Sequence, residues 1–240
     1  MITPAPTTQV VVVDSLESLD DNQPVNLLCA PFLATLSGDA YRKAAASLAE
    51  CCAKRGAFLI ADPPADWRSV SDVVRDADGI AVSIGENGAI YWPPLKDAVL
   101  SEAVANVYVH TDETRGVWKP PSGIEATLDA VTPAIAINAA NSGVLTRMNV
   151  NPIRTFPQYG TVVWGARTMS LYPDYRYVPI RRLVLYIEQS IGSLQGWLAS
   201  RQNDESTWIA TRGAVEEFLT SLWRQGALAG ARADYAFTVR

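Results

Sequence analysis

Two short, mostly apolar runs, each stopped by proline, constrain this chain more than any other feature: Val25–Ala30 before Pro31, and Ala57–Ala61 before Asp62-Pro63-Pro64. Runs of this length with little polar alternation suit strands covered on both faces. Between them Tyr41, Ala45, Leu48, Ala49 and Cys52 recur at helical spacing, with Asp39 as the expected cap and Gly56 as the stop. A second stripe, Trp67, Val70, Val74 and Ala77, predicts a helix capped by Asp66 and running through Asp78, followed by strands around Ile80–Ile84 and Ala89–Trp92. Strand, helix, strand, helix, strand is the order of an α/β fold: a mixed sheet covered by helices.

The second half continues the pattern. Val104, Val107 and Tyr108 predict a helix over 99–110, and Ile153–Phe156 and Thr161–Trp164 read as strands joined by a turn at Pro157–Gly160. Two long C-terminal helices follow. One opens after Pro179 with Arg181-Arg182 and carries Leu183, Ile187, Leu194 and Trp197; the other runs from Asp204 to Gly226 with Trp208, Val215, Leu219, Leu222 and Trp223 inside. Ala233–Val239 alternates as a closing strand. The organisation is therefore an arm and hinge over 1–24, with Pro4, Pro6, Val10–Val13 and an acidic Asp14–Asp21 stretch, then a core over 25–240 made of an α/β part, 25–98, and a C-terminal part, 99–240.

Catalytic classes find little support. His110 is the only histidine, which removes paired-imidazole zinc sites and leaves no triad context such as a Gly-x-Ser-x-Gly elbow. Gly85-Glu86-Asn87-Gly88 lacks the lysine of a phosphate loop and reads as a hairpin turn. Cys29, Cys51 and Cys52 read as buried thiols. No catalytic residue, metal ligand or cofactor site is assigned, and the chain is not expected to be an enzyme. An α/β enzyme with a deep polar pocket stays open as the rival class.

Charge separates the two halves. Residues 1–140 hold 9 basic and 18 acidic side chains, and residues 141–240 hold 11 basic and 7 acidic, every basic one an arginine. Arginine suits planar, bidentate, partly desolvated pairing. The overall net charge of −5 argues against a nucleic-acid partner. A head-to-tail assembly in which the basic half of one copy meets the acidic half of the next accounts for both halves.

The remaining signal is a succession of segments: Gly-Val-Trp-Lys at 116–119, Asn-Pro-Ile-Arg at 151–154, Val-Trp-Gly-Ala-Arg-Thr at 163–168, Tyr-Val-Pro-Ile-Arg-Arg-Leu at 177–183 and Leu-Trp-Arg-Gln-Gly-Ala-Leu at 222–228. Trp, Arg, Gly and Pro are the vocabulary of packing anchors and interfaces. In this order the segments resemble the conserved domain of contractile tail sheath proteins, found in contractile phages and phage-tail-like injection systems. The resemblance covers roughly 90–240 closely and Val25–Pro64 more loosely.

That resemblance implies a structural subunit that assembles into a helical sleeve around an inner tube and contracts to drive it through a target envelope. A non-contracting paralogue, such as a cap or baseplate-side adaptor, is the alternative. It implies as partners copies of the chain or sheath paralogues, the inner tube protein, and baseplate and terminator or cap proteins. Nucleic acid and direct membrane insertion are not expected. The place implied is the cytoplasm on synthesis, then a phage tail or phage-tail-like particle. The candidate inter-subunit or packing anchors are Trp118, Lys119, Arg154, Trp164, Arg167, Arg181, Arg182 and Trp223. Relatives usually carry N- and C-terminal arms that add strands to neighbours; here either Val10–Val13 alone serves that end, or the chain is a terminal or accessory paralogue or a shortened form.

Overall fold

The computed structural model describes Ile2, residues 8–18 and residues 24–240; Pro4 and Pro6 of the expected arm and residues 19–21 of the acidic stretch lie outside the described residues. The chain divides between Arg182 and Leu183 into two compact units.

The unit ending at Arg182 holds one sheet. Its strands, β1 (Val10–Val12), β2 (Leu27–Cys29), β3 (Phe58–Ala61), β4 (Gly88–Trp92), β5 (Val150–Phe156) and β6 (Gly160–Val163), lie side by side in chain order. The first five are parallel, and β6 returns antiparallel to β5 with Arg154 opposite Val162. The connections carry helices α1 (Gly38–Arg55), α2 (Val70–Ile84), α3 (Leu100–Arg115) and α4 (Ala139–Arg147). Right-handed crossovers between consecutive neighbours deliver helices to one face, and there α2 packs between α1 and α4. The long β4–β5 connection departs from this: its α3 lies against β2 and β3 on the other face.

Strand alternation assigns the two faces. Leu28, Leu59, Ile90 and Val150 share a core with Tyr41, Leu48, Val73, Ala77, Ile84 and Leu145 of α1, α2 and α4. On the other face the Phe58 and Tyr108 rings stack at 6.3 Å, the Tyr91 and Tyr108 hydroxyls bond at 2.6 Å, and the Cys29 thiol donates to the Ser101 carbonyl at 3.5 Å. Coverage on both sides is why the strands read as apolar runs. Each fully buried leucine or phenylalanine here contributes roughly 1.5–3 kcal/mol. Gly88 lets α2 close onto the sheet: a Cβ there would lie 2.8 Å from Ile84 Cγ2 and 2.9 Å from the Leu59 carbonyl oxygen.

Several boundaries differ from the sequence reading. The second helix is capped by Ser69, whose Oγ accepts the Asp72 N–H at 3.3 Å, not by Asp66. It absorbs the strand expected at Ile80–Ile84, because Val73, Ala77, Ile80, Ala81 and Ile84 keep the helical period and stay buried, leaving Val74 44% exposed. Gly85–Asn87 is a 3-10 turn passing from α2 into parallel β4, so no hairpin forms there. In α1 the cap position belongs to Ser37, while Asp39 sits in the first turn and pairs with Arg42. Gly56 ends α1 in the left-handed region, φ 66°.

The C-terminal unit is helical. Helix α5 (Val178–Gly192) crosses the division and is followed by α6 (Gln195–Leu198), α7 (Glu205–Arg224) and α8 (Ala233–Ala236). The helix expected to reach Trp197 stops at Gly192, and Trp197 falls in the separate turn of α6. Asp204 caps α7 by accepting the Thr207 N–H at 2.8 Å, and that bond, with the Ser206 hydroxyl, holds its carboxyl below the usual range. Tyr186 and Phe218 pack across α5 and α7 at 6.3 Å, with Leu222 buried. Trp208, expected inside, is 59% exposed and ties its indole N–H to Asn203. The closing strand expected over Ala233–Val239 is instead α8 and irregular chain, because a strand needs a ladder partner and none of the described residues after Leu183 forms one. No described helix is long and apolar enough to cross a membrane.

Candidate functional site

The motif succession condenses around the start of β5. Asn151 side-chain Oδ1 accepts the Arg167 N–H at 2.7 Å, and its Nδ2 donates to the carbonyls of Arg167 at 2.7 Å and Ile90 at 3.1 Å. This clamp folds the 163–168 segment back over the strand that begins with Asn151-Pro152. Gly165 is demanded by the close approach, since a Cβ would stand 2.7 Å from Asn151 Oδ1 and 3.0 Å from Pro152 Cδ. The 177–183 segment joins in through the Val178 N–H to the Ala166 carbonyl at 3.0 Å, and just ahead of it the Tyr175 carbonyl accepts the Thr168 hydroxyl at 2.6 Å. Three of the sequence signatures thus form one backbone-to-side-chain junction.

The expected anchors fall into different roles. Arg182 is 5% exposed and makes a bidentate pair with Asp112 at 2.8 and 2.6 Å, lying 4.9 Å over the Tyr108 ring; Thr8 Oγ1 donates to the same carboxylate at 2.5 Å. Its pairing is internal to the sheet unit. Arg181 donates to Asn87 Oδ1 at 3.1 Å and lies over Tyr175 at 5.1 Å. Arg167 donates to the Thr146 carbonyl at 2.9 Å and faces Tyr177 at 5.9 Å. Trp118 is half-buried against Gly116, whose φ of 92° and lack of a Cβ admit the indole, and Lys119 beside it is exposed. Trp223, in the helical unit, donates its indole N–H to the Gly230 carbonyl at 2.9 Å.

Arg154 and Trp164 are the two anchors brought together. On the hairpin of β5 and β6, the Arg154 guanidinium lies 4.4 Å from the Phe156 ring centre and 5.7 Å from that of Trp164. The two rings are 4.8 Å apart, with Tyr159 at 6.4 Å from Phe156. Trp164 is 38% and Tyr159 48% exposed, and Arg154 Nε is buried without a partner. No carboxylate among the described residues pairs with Arg154. A guanidinium stacked on aromatic rings keeps its remaining N–H groups as donors, with no carboxylate of the described residues to take them.

A second feature was not legible as a site. Along α3, Glu102, Val107 and His110 line a groove of about 510 Å³ whose other wall is Glu125, Leu128, Asp129 and Val131. Glu125 pairs with Arg115, whereas Glu102 and Asp129 have no cation within ion-pairing distance among the described residues. His110 is exposed there. Sequence spacing gave helical period for α3 but nothing that places the 125–131 segment beside it.

Buried titratable groups lie elsewhere. Asp62, 3% exposed, ends β3 and accepts the Ser101 N–H of the first turn of α3 at 3.1 Å; burial pushes its carboxyl up to about 6 against those hydrogen bonds, and Oδ2 has no partner. Burial, with the charges of Asp62 and Glu102, pushes the Cys29 thiol up to about 12, and burial raises Cys52 further. No group of three or more His, Cys, Asp or Glu among the described residues could hold a metal ion.

Comparison with known proteins brings these features into a family context. Residues 172–240 match the phage tail sheath C-terminal domain. The tail sheath protein of Vibrio phage KVP40 is 22% identical over 134 residues, covering 55% of this chain and 19% of that protein. Among solved structures, a chain of the anti-feeding prophage (AFP) baseplate is 32% identical with a TM-score of 0.71, covering 88% of this chain and 56% of that one. The PVC sheath complex of an extracellular contractile injection system, in its contracted state, is 30% identical with a TM-score of 0.71, over 90% of this chain and 59% of that one. The chain therefore spans under two thirds of each of these relatives.

Proposed function

The chain is a relative of contractile tail sheath proteins, and from that premise we propose that it is a structural subunit that stacks head to tail into a helical sleeve around an inner tube. The observation that carries this reading is the likeness, over nearly its whole length, to a sheath in its contracted state. Shortening of the sleeve then drives the tube through a target envelope as nearly rigid subunits change their mutual packing. The internal pairing of Arg182 with Asp112 and the Asn151 clamp suit a unit that keeps its shape while its contacts change. The arginine-only basic half and the acidic first half supply complementary surfaces for such stacking. Its partners on this reading are further copies or sheath paralogues, the inner tube, and baseplate and terminator proteins, with synthesis in the cytoplasm before incorporation into a tail or tail-like particle. No cofactor or catalytic step is assigned.

A non-contracting cap or baseplate-side adaptor is the second reading, favoured by the likeness to a chain of a baseplate structure. Negative-stain microscopy of the purified protein with and without its cognate tube protein separates the two. Striated sleeves support the sheath subunit, discrete rings support the adaptor, and solitary particles under every condition exclude both.

A further inference from the structure

Resting on the head-to-tail reading, we propose that the Arg154–Trp164 face of the hairpin docks into the acidic groove beside α3 of a second copy of this chain. Three observations carry the match. First, the compositions are reciprocal. The hairpin offers one guanidinium over Phe156 and exposed Trp164, with exposed Tyr159 against Phe156, and the groove is lined by apolar Val107, Leu128 and Val131 together with the carboxylates of Glu102 and Asp129. Aromatic and arginine side chains seated in an apolar pocket with a charged rim are the usual energetic centre of a protein interface.

Second, each side lacks the partner that the other brings. Among the described residues Arg154 has no carboxylate, and Glu102 and Asp129 have no cation. Both sets are therefore spared the competition that occupies Arg182, Arg115 and Arg75 inside the same chain.

Third, the two patches are different surfaces of the same sheet unit: Arg154 lies opposite Val162 in the hairpin, and the groove wall is the 126–128 segment paired to the other edge of β6, with α3 across from it. A contact between two different patches is heterologous, so it propagates instead of pairing off as an isologous dimer. A docked copy leaves its own groove open for the next.

The test uses variants of the whole 240-residue chain. Arg154→Glu disables the hairpin and keeps the groove; Glu102→Arg with Asp129→Arg disables the groove and keeps the hairpin. Arg154→Gln is the milder companion, and thermal melts by circular dichroism certify that each variant is folded. In sedimentation at low salt the wild-type chain should form a ladder of species. Each variant alone should be monomeric, with association weakened about tenfold or more. Their mixture should give a complex of twice the 26.0 kDa chain mass and nothing larger, because one live hairpin meets one live groove. A mixture that stays monomeric, or folded variants that associate like the wild type, overturns the contact. Sleeves in the microscope together with harmless charge reversals would sink this contact and leave the sheath reading; the mixed dimer without sleeves would do the reverse.

Discussion

Asp62→Asn tests how the end of β3 holds the first turn of α3. The wild-type carboxyl is 3% exposed, accepts one N–H from Ser101, and meets no cation in the described structure, so ionising it in the fold costs more than in the open chain. With the folded value near 6 and the reference at 3.8, the difference amounts to about 3 kcal/mol. The sign follows from the shift being upward. The stabilisation is fully present below the unfolded value and is lost as pH rises through the folded one, so wild-type stability falls between about pH 4 and pH 6. Asparagine keeps an acceptor for Ser101 and cannot ionise. Urea unfolding at pH 4.0 and pH 7.5, on either side of the isoelectric region near 5.0, should therefore show the wild type losing about 2–3 kcal/mol relative to the variant. Two parallel pH profiles would refute the argument, since they would mean that the carboxyl finds water or a partner in solution.

Two further substitutions probe the frame of the site. Asp112→Ala leaves Arg182 buried without its carboxylate and should cost about 3–5 kcal/mol, with much of that loss recovered when Arg182→Met is added, as read by the urea midpoint. Gly88→Ala drives a methyl into Ile84 and the Leu59 backbone, and thermal unfolding should show a loss of about 1–3 kcal/mol.

The strands of the sheet were legible because burial on both faces leaves apolar runs bounded by Pro31 and Asp62-Pro63-Pro64. The second helix was misread at both ends for related reasons. Of the expected stripe, Trp67, Val70 and Ala77 do pack on the core and only Val74, one position past buried Val73, faces out, while a β-branched finish at Ile80–Ile84 looks like a strand until tertiary packing extends the helix. The closing strand failed because alternation alone cannot supply a neighbour to pair with. Of the candidate anchors, Arg154 and Trp164 come together through hairpin register, which the turn at Pro157–Gly160 signalled. Arg182 was visible as an arginine and invisible as a paired one, because Asp112 lies 70 positions away. The groove was hidden for the same reason: its two walls belong to segments with no shared period.

Strand order that follows chain order also sets how the sheet can be built. Each new parallel strand finds its template already in place at the growing edge, so β2, β3 and β4 can be laid down one after another as the polypeptide emerges. The interval from Trp92 to Val150 is the longest in the series, yet loop closure grows only by about 0.6 kcal/mol per doubling of length. Assembly of the sheet thus reduces to a succession of local steps with one slower stitch, made after α3 has crossed to the far side, and a ribosome releasing residues in sequence would present them in the order the architecture requires.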